Sequence, residues 1–185
     1  MAVVAGKRPA AAPDLALTDN GRMTRDDDGP ITPDGRFIRV SGRRWRATDP
    51  GIPDSLRQEL VAELMAARRD VTRDPAQARP RVHDAKVALG ERGEPWWEPS
   101  SGGQRARLAA SMRALLRHRR PDATICPSDA ARVVGGESWR DLMDAAREVA
   151  AELAREGTVA VQQHGGDVDV AVAAGPVRLA RGPRW

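Results

Sequence analysis

Beyond about residue 35 the apolar positions fall into clear periods. The run Arg36-Phe-Ile-Arg-Val-Ser-Gly-Arg-Arg-Trp-Arg alternates, with Ser41-Gly42 as a two-residue turn, and predicts a β-hairpin. That turn sets Val40 opposite Arg43, Arg39 opposite Arg44, Ile38 opposite Trp45 and Phe37 opposite Arg46. Strand alternation then puts Ile38, Val40 and Trp45 on an apolar face, and Arg39, Arg44 and Arg46 with Phe37 on a basic one.

Leu56, Leu60, Leu64 and Ala67 recur at helical spacing and predict a helix from about Asp54 to Val71, opened by Pro53. A second helix is expected from Pro75 to Leu89, with Asp74 as N-cap and Gly90 as stop. Pro80 inside it predicts a late start or a kink. The breaker-rich stretch from Glu94 to Gly103 carries Trp96 and Trp97, which either close this small core or stand out as an anchor for a partner.

Leu108, Met112 and Leu115 predict a helix from Gln104 to His118. A very short strand at Thr124–Cys126 and a short helix from Pro127 to Val134 follow, then the turn Gly135-Gly136. Ser138 with Asp141 reads as a capping box opening a long helix to Glu156, whose buried stripe is Trp139, Leu142, Ala146, Val149 and Leu153. Thr158–Gln163 is an expected strand, residues 164–175 a wing and Pro176–Ala180 the returning strand. The order is that of a winged helix. The fold class expected is therefore α+β, mainly α. A disordered tail at 1–34 precedes a hairpin-plus-two-helix module at 35–99, a linker at 100–103 and a winged-helix domain at 104–185.

Three segments carry a family resemblance: Ile125-Cys-Pro-Ser-Asp-Ala-Ala-Arg, Gly136-Glu-Ser-Trp-Arg-Asp-Leu-Met and Gly175-Pro-Val-Arg-Leu. They resemble a bacterial family known as domain of unknown function 3253, which implies a winged-helix-like fold and brings no activity, cofactor or catalytic residue. The N-terminal Arg43-Arg-Trp-Arg-Ala-Thr-Asp-Pro and Ala85-Lys-Val-Ala-Leu-Gly-Glu-Arg-Gly-Glu-Pro-Trp-Trp resemble a module that accompanies it in bacterial proteins sometimes labelled biopolymer transporter Tol. No segment of this chain supports that label, since no apolar run reaches the roughly 20 residues of a membrane span.

Composition changes the picture in two ways. Aromatics are only 3% of the 185 residues, so the cores must rest on Ala, Val and Leu, with a large share of stability expected from the five tryptophans. All but two of the 30 basic residues, Lys7 and Lys86, are arginine, so a pI near 10.4 coexists with a formal charge of only +4. The single Cys126 excludes an internal disulfide and fits a reducing, cytoplasmic setting. Beside Pro127 at a helix start, it reads as a packed cysteine before it reads as a nucleophile.

Candidate chemistry is sparse. His83, His118 and His164 lack metal-ligand spacing, and no phosphate-binding glycine loop, nucleophile elbow or carboxylate pair is visible. The reading expects no metal and no cofactor, and points away from an enzyme. Charge offers more. From Gln104 to Pro121 six arginines, Arg105, Arg107, Arg113, Arg117, Arg119 and Arg120, stand without an acid, either as a solvated face or as an anion-binding one. The helix that would enter a DNA groove carries Arg140 and Arg147 on its outward face, yet residues 137–157 hold three arginines against six acids. Asp144 is spaced to pair with both Arg140 and Arg147. The residues expected to meet nucleic acid are Arg39, Arg44, Arg46, Arg105, Arg113, Arg117, Arg120, Arg140 and Arg147, giving weak DNA or RNA association. The competing expectation is a protein-interaction module using the winged helix as a scaffold.

Overall fold

The computed structural model describes residues 31–170 and 173–185. It is an α+β fold, about half helical, in the order β1 (Phe37–Val40), β2 (Arg43–Arg46), α1 (Asp54–Asp70), α2 (Pro75–Ala88), α3 (Ser101–His118), α4 (Pro127–Gly135), a 3-10 helix (Gly136–Leu142), α5 (Met143–Arg155), β3 (Val159–Gln163), β4 (Gly166–Asp167) and β5 (Arg178–Arg181).

The hairpin has the register expected from its turn, Phe37 with Arg46 through Val40 with Arg43. Ser41 and Gly42 both take positive φ, at 51° and 74°, the conformation whose twist matches paired strands. Ile31 adds an antiparallel bridge to Ile38, and the Thr32 amide donates to the Phe37 carbonyl at 2.9 Å. Residues 31–34, expected in a disordered tail, therefore pack onto β1, whose edge pairs with Ile31; the rest of that expectation, residues 1–30, lies outside the described residues.

Helices α1 and α2 pack on each other and both pack on α3. The predicted stripe of α1 is buried, together with Glu63. Asp74 caps α2 by accepting from the Gln77 amide at 3.2 Å, and the helix runs from Pro75 through Pro80, starting neither late nor after it. Residues 100–103, expected as a linker, instead cap and open α3. The Ser100 hydroxyl accepts from the Gly103 amide at 3.1 Å, and the Glu94 carboxylate accepts from the Ser100 amide at 2.7 Å. Buried residues from α1 and α2 (Leu60, Leu64, Leu89) and from α3 to β5 (Leu108, Met112, Ile125, Leu179) form one continuous core.

The long helix predicted from Ser138 is two elements. Ser138 lies inside the 3-10 segment at φ −86° and ψ 18° and caps nothing. Trp139 and Leu142, three residues apart, line up on a helix that repeats every three residues, and α5 takes over at Met143. At the C-terminal end, β3 is central between β4 and β5, and Ile125 bridges Leu179 of β5 from the far side.

None of the five tryptophans is buried, so the core depends on leucine and valine instead. Three of the tryptophans serve as platforms for arginine. Trp97 carries Arg36 and Arg46 at 4.9 and 5.7 Å, Trp139 carries Arg132 and Arg140 at 4.6 and 4.5 Å, and Trp185 carries Arg117 and Arg181 at 5.4 and 5.3 Å.

Candidate functional site

The hairpin is fastened to the body by the face that the sequence marks as basic. Phe37 meets Trp97 edge-on at 5.5 Å, and Trp97 meets Trp96 edge-on at 5.2 Å. The Trp96 indole N–H donates to the Ala47 carbonyl at 3.1 Å, and both tryptophans of the pair are half-buried. Arg46 donates to the Gly93 and Glu94 carbonyls at 2.8 and 3.0 Å, and Arg44 lies over the Phe37 ring at 4.4 Å. Arg39 stands opposite Arg44 in the ladder.

Docking by that face turns the apolar one outward. Val40 is 53% exposed, Trp45 49% and, beside them on α1, Met65 is 42% exposed. With Ile38 and Leu64 these side chains line an open groove of about 460 Å³. Arg68 of α1 reaches into the groove wall without an ion pair, and Arg43, opposite Val40, stands on the same face of the hairpin. Lys86, also in the wall, is paired to Glu91 at 3.2 Å.

Five of the six arginines from Arg105 to Arg120 are spent inside the chain. Arg105 spans to Glu148 and Glu152 of α5, the latter at 2.6 Å. Arg107 is buried, holds Asp49 at 2.8 Å and donates to the Ala88 and Val133 carbonyls. Arg113 grips both oxygens of Asp84 at 2.7 and 3.0 Å, and Arg117 shares one of them. Arg119 makes a two-point pair with Glu59 at 2.9 and 3.1 Å and reaches Asp129 at 3.3 Å. Only Arg120, 84% exposed beside Asp122 at 3.8 Å, stands on the surface as a solvated face would. Arg147 turns to the segment between β4 and β5, donating to the Ala173 carbonyl at 2.6 Å and to those of Val170 and Gly175, instead of pairing with Asp144. Arg140 rests on Trp139.

Electrostatics follow the same geometry. Burial would raise the Asp84 carboxyl, but Arg113 and Arg117 outweigh it and hold the group below its ordinary value. Burial pulls the Arg107 guanidinium down, with the charge of Asp49 opposing. Cys126 is half-buried at the start of α4, where its amide donates to Asp129 at 3.2 Å. Among the described residues no group of three or more His, Cys, Asp or Glu could hold a metal ion.

Residues 105–182 match the family model described as protein of unknown function (DUF3253). The DUF3253 segment thus begins inside α3 and ends just past β5, and the hairpin, α1 and α2 lie outside it. No curated protein matches the chain. Among the described residues no helix is long and apolar enough to cross a membrane.

Two functional features were missed by sequence reasoning. The acids that neutralise α3 sit tens of residues away, on α1, α2 and α5, where no local pattern reveals them. The outward turn of the apolar hairpin face had a readable signal, since Phe37 among arginines near Trp96 and Trp97 is a set of aromatic and cationic partners.

Proposed function

We propose that the protein is a non-enzymatic interaction module, in which a winged-helix scaffold supports the hairpin and α1, and that the groove of Ile38, Val40, Trp45, Leu64 and Met65 receives an amphipathic acidic segment of a partner protein. One observation carries this reading: a contiguous apolar face is left outward while the opposite face fastens the hairpin. Arg43 and Arg68 give the groove a cationic margin, which suits carboxylates on the partner. Support for the scaffold comes from the order α3, α4, α5, β3, β4, β5, with Ile125 making an isolated bridge to Leu179 on the outer side of β5.

The test is titration of the full chain with two designed peptides that share leucine positions, one bearing glutamates and one lysines. The acidic peptide is expected to bind, and Trp45→Ser with Met65→Glu to abolish binding. Equal binding of both peptides, or binding that survives the substitutions, overturns the reading.

A nucleic-acid role keeps one specific observation, the exposed Arg132 and Arg140 stacked on Trp139 near the start of α5. Its support is narrow, because α3 contributes little free charge and α5 is acidic. A mobility shift at low salt that Arg132→Ala and Arg140→Ala remove would favour it.

A further inference from the structure

The C-terminal end of α3 carries unsatisfied carbonyls that need donors. Arg181 of β5 supplies them, reaching the Leu116 and Arg119 carbonyls at 2.9 and 3.0 Å. This places Arg181 at the wall of a cleft of about 460 Å³ between α2, the end of α3 and the segment after β5. Arg81, Arg117 and Arg184 complete a set of four guanidinium groups in that wall, with Gln77 and Thr158 between them, and no acidic side chain lines it.

The four are held differently. Arg81 is fixed by Glu63 at 2.8 Å and Asp70 at 2.9 Å, and Arg117 by Asp84; these carboxylates lie outside the lining and hold the guanidinium groups in place. Arg181 uses Nε and Nη2 on the helix end, leaving Nη1 for the cleft. Arg184 makes no side-chain hydrogen bond or ion pair, and lies across Gly157, where an added Cβ would meet its Nε at 2.8 Å. Trp185 forms part of the wall and takes Arg117 and Arg181 over its ring. Arg184 and Nη1 of Arg181 therefore keep N–H donors that no other group among the described residues takes, with the Thr158 hydroxyl and the Gln77 amide besides, while Arg81 and Arg117, already paired, add fixed guanidinium groups to the wall. Convergent guanidinium donors match the oxygens of a phosphate group in number and geometry.

We propose that this cleft binds an oligophosphate anion, free or carried on a small molecule. The donors converge on one hollow, whereas a nucleic-acid strand spreads its charges along a track. The reading is independent of the hairpin groove, which shares no lining residue with the cleft.

The experiment is calorimetric titration of the full chain with sodium tripolyphosphate, with sodium sulfate at matched ionic strength as control and a short single-stranded DNA in parallel. One-site binding of tripolyphosphate is expected, weakened at least about tenfold by Arg184→Ala. That substitution removes no internal hydrogen bond, so an unchanged melting temperature is expected with it. Arg120→Ala, outside the cleft, is expected to bind as the parent chain does. Sulfate binding as tightly as tripolyphosphate, insensitivity to Arg184→Ala, equal loss in Arg120→Ala, or tighter binding of the DNA each overturns the assignment.

Discussion

Arg107 of α3 and Asp49, in the turn before α1, form an ion pair of 2.8 Å with both side chains nearly buried. The guanidinium also serves the Ala88 and Val133 carbonyls, so one side chain joins α2, α3, α4 and the chain leading into α1. Replacing it strands a buried carboxylate and two carbonyls. Arg107→Met is expected to lower unfolding free energy by about 3–5 kcal/mol, and Arg107→Met with Asp49→Asn to recover part of that. Urea denaturation of the two variants measures both, and equal losses would show that the pair itself is not the source.

Asp84 gives a dependence on pH. Its folded-state carboxyl lies below the ordinary value of 3.8, so its stabilising contribution is fully present above that value. It is lost as pH falls from there through the depressed folded value. Asp84→Asn is expected to be less stable than the parent at neutral pH, by about 2 kcal/mol because Arg113 and Arg117 keep some water. The gap should narrow on acidification below about pH 4. Thermal melts between pH 2 and 7 check the slope.

The two faces of the hairpin are expected to respond unequally. Phe37→Ala removes the ring wedged between Arg44 and Trp97 and is expected to cost about 1–2 kcal/mol. Trp45→Ser, on the outward face, is expected to stay within about 0.5 kcal/mol of the parent. Chemical denaturation ranks them, and the reverse order would mean that the apolar face is the fastening one.

Ser41 holds φ at 51°, a conformation that asparagine and glycine adopt more readily. Ser41→Asn is therefore expected to stabilise the hairpin by about 0.5 kcal/mol, seen as slower amide exchange in Phe37–Val40. Unchanged or faster exchange would contradict the turn assignment.

These contrasts show where the sequence could be read. The hairpin register was legible because a two-residue turn leaves one pairing, and α1 because Leu56, Leu60 and Leu64 repeat at four residues. The split of the third C-terminal helix was not, since a stripe of Trp139, Leu142 and Ala146 fits both a single α-helix and a 3-10 turn followed by one. The six arginines from Arg105 to Arg120 looked alike in sequence. Their roles differ through partners 29 residues away for Arg113, 43 and 47 for Arg105 and 60 for Arg119, and only the tertiary packing selects them. Orientation of the hairpin was partly legible, because its aromatic and basic positions coincide on one face.

The shared core and the carboxylates behind α3 bear on what residues 105–182 would be as a separate fragment. A fragment cut at residues 105–182 would start past the Ser100 cap and leave behind Asp49, Asp84 and Glu59. Its first helix would present Arg107, Arg113 and Arg117 without the carboxylates that hold them, and Arg119 would keep only Asp129. The matched segment is shorter than the continuous core, to which α1 and α2 also contribute. The carboxylates that hold Arg107, Arg113 and Arg117 in this chain thus come from outside the matched residues.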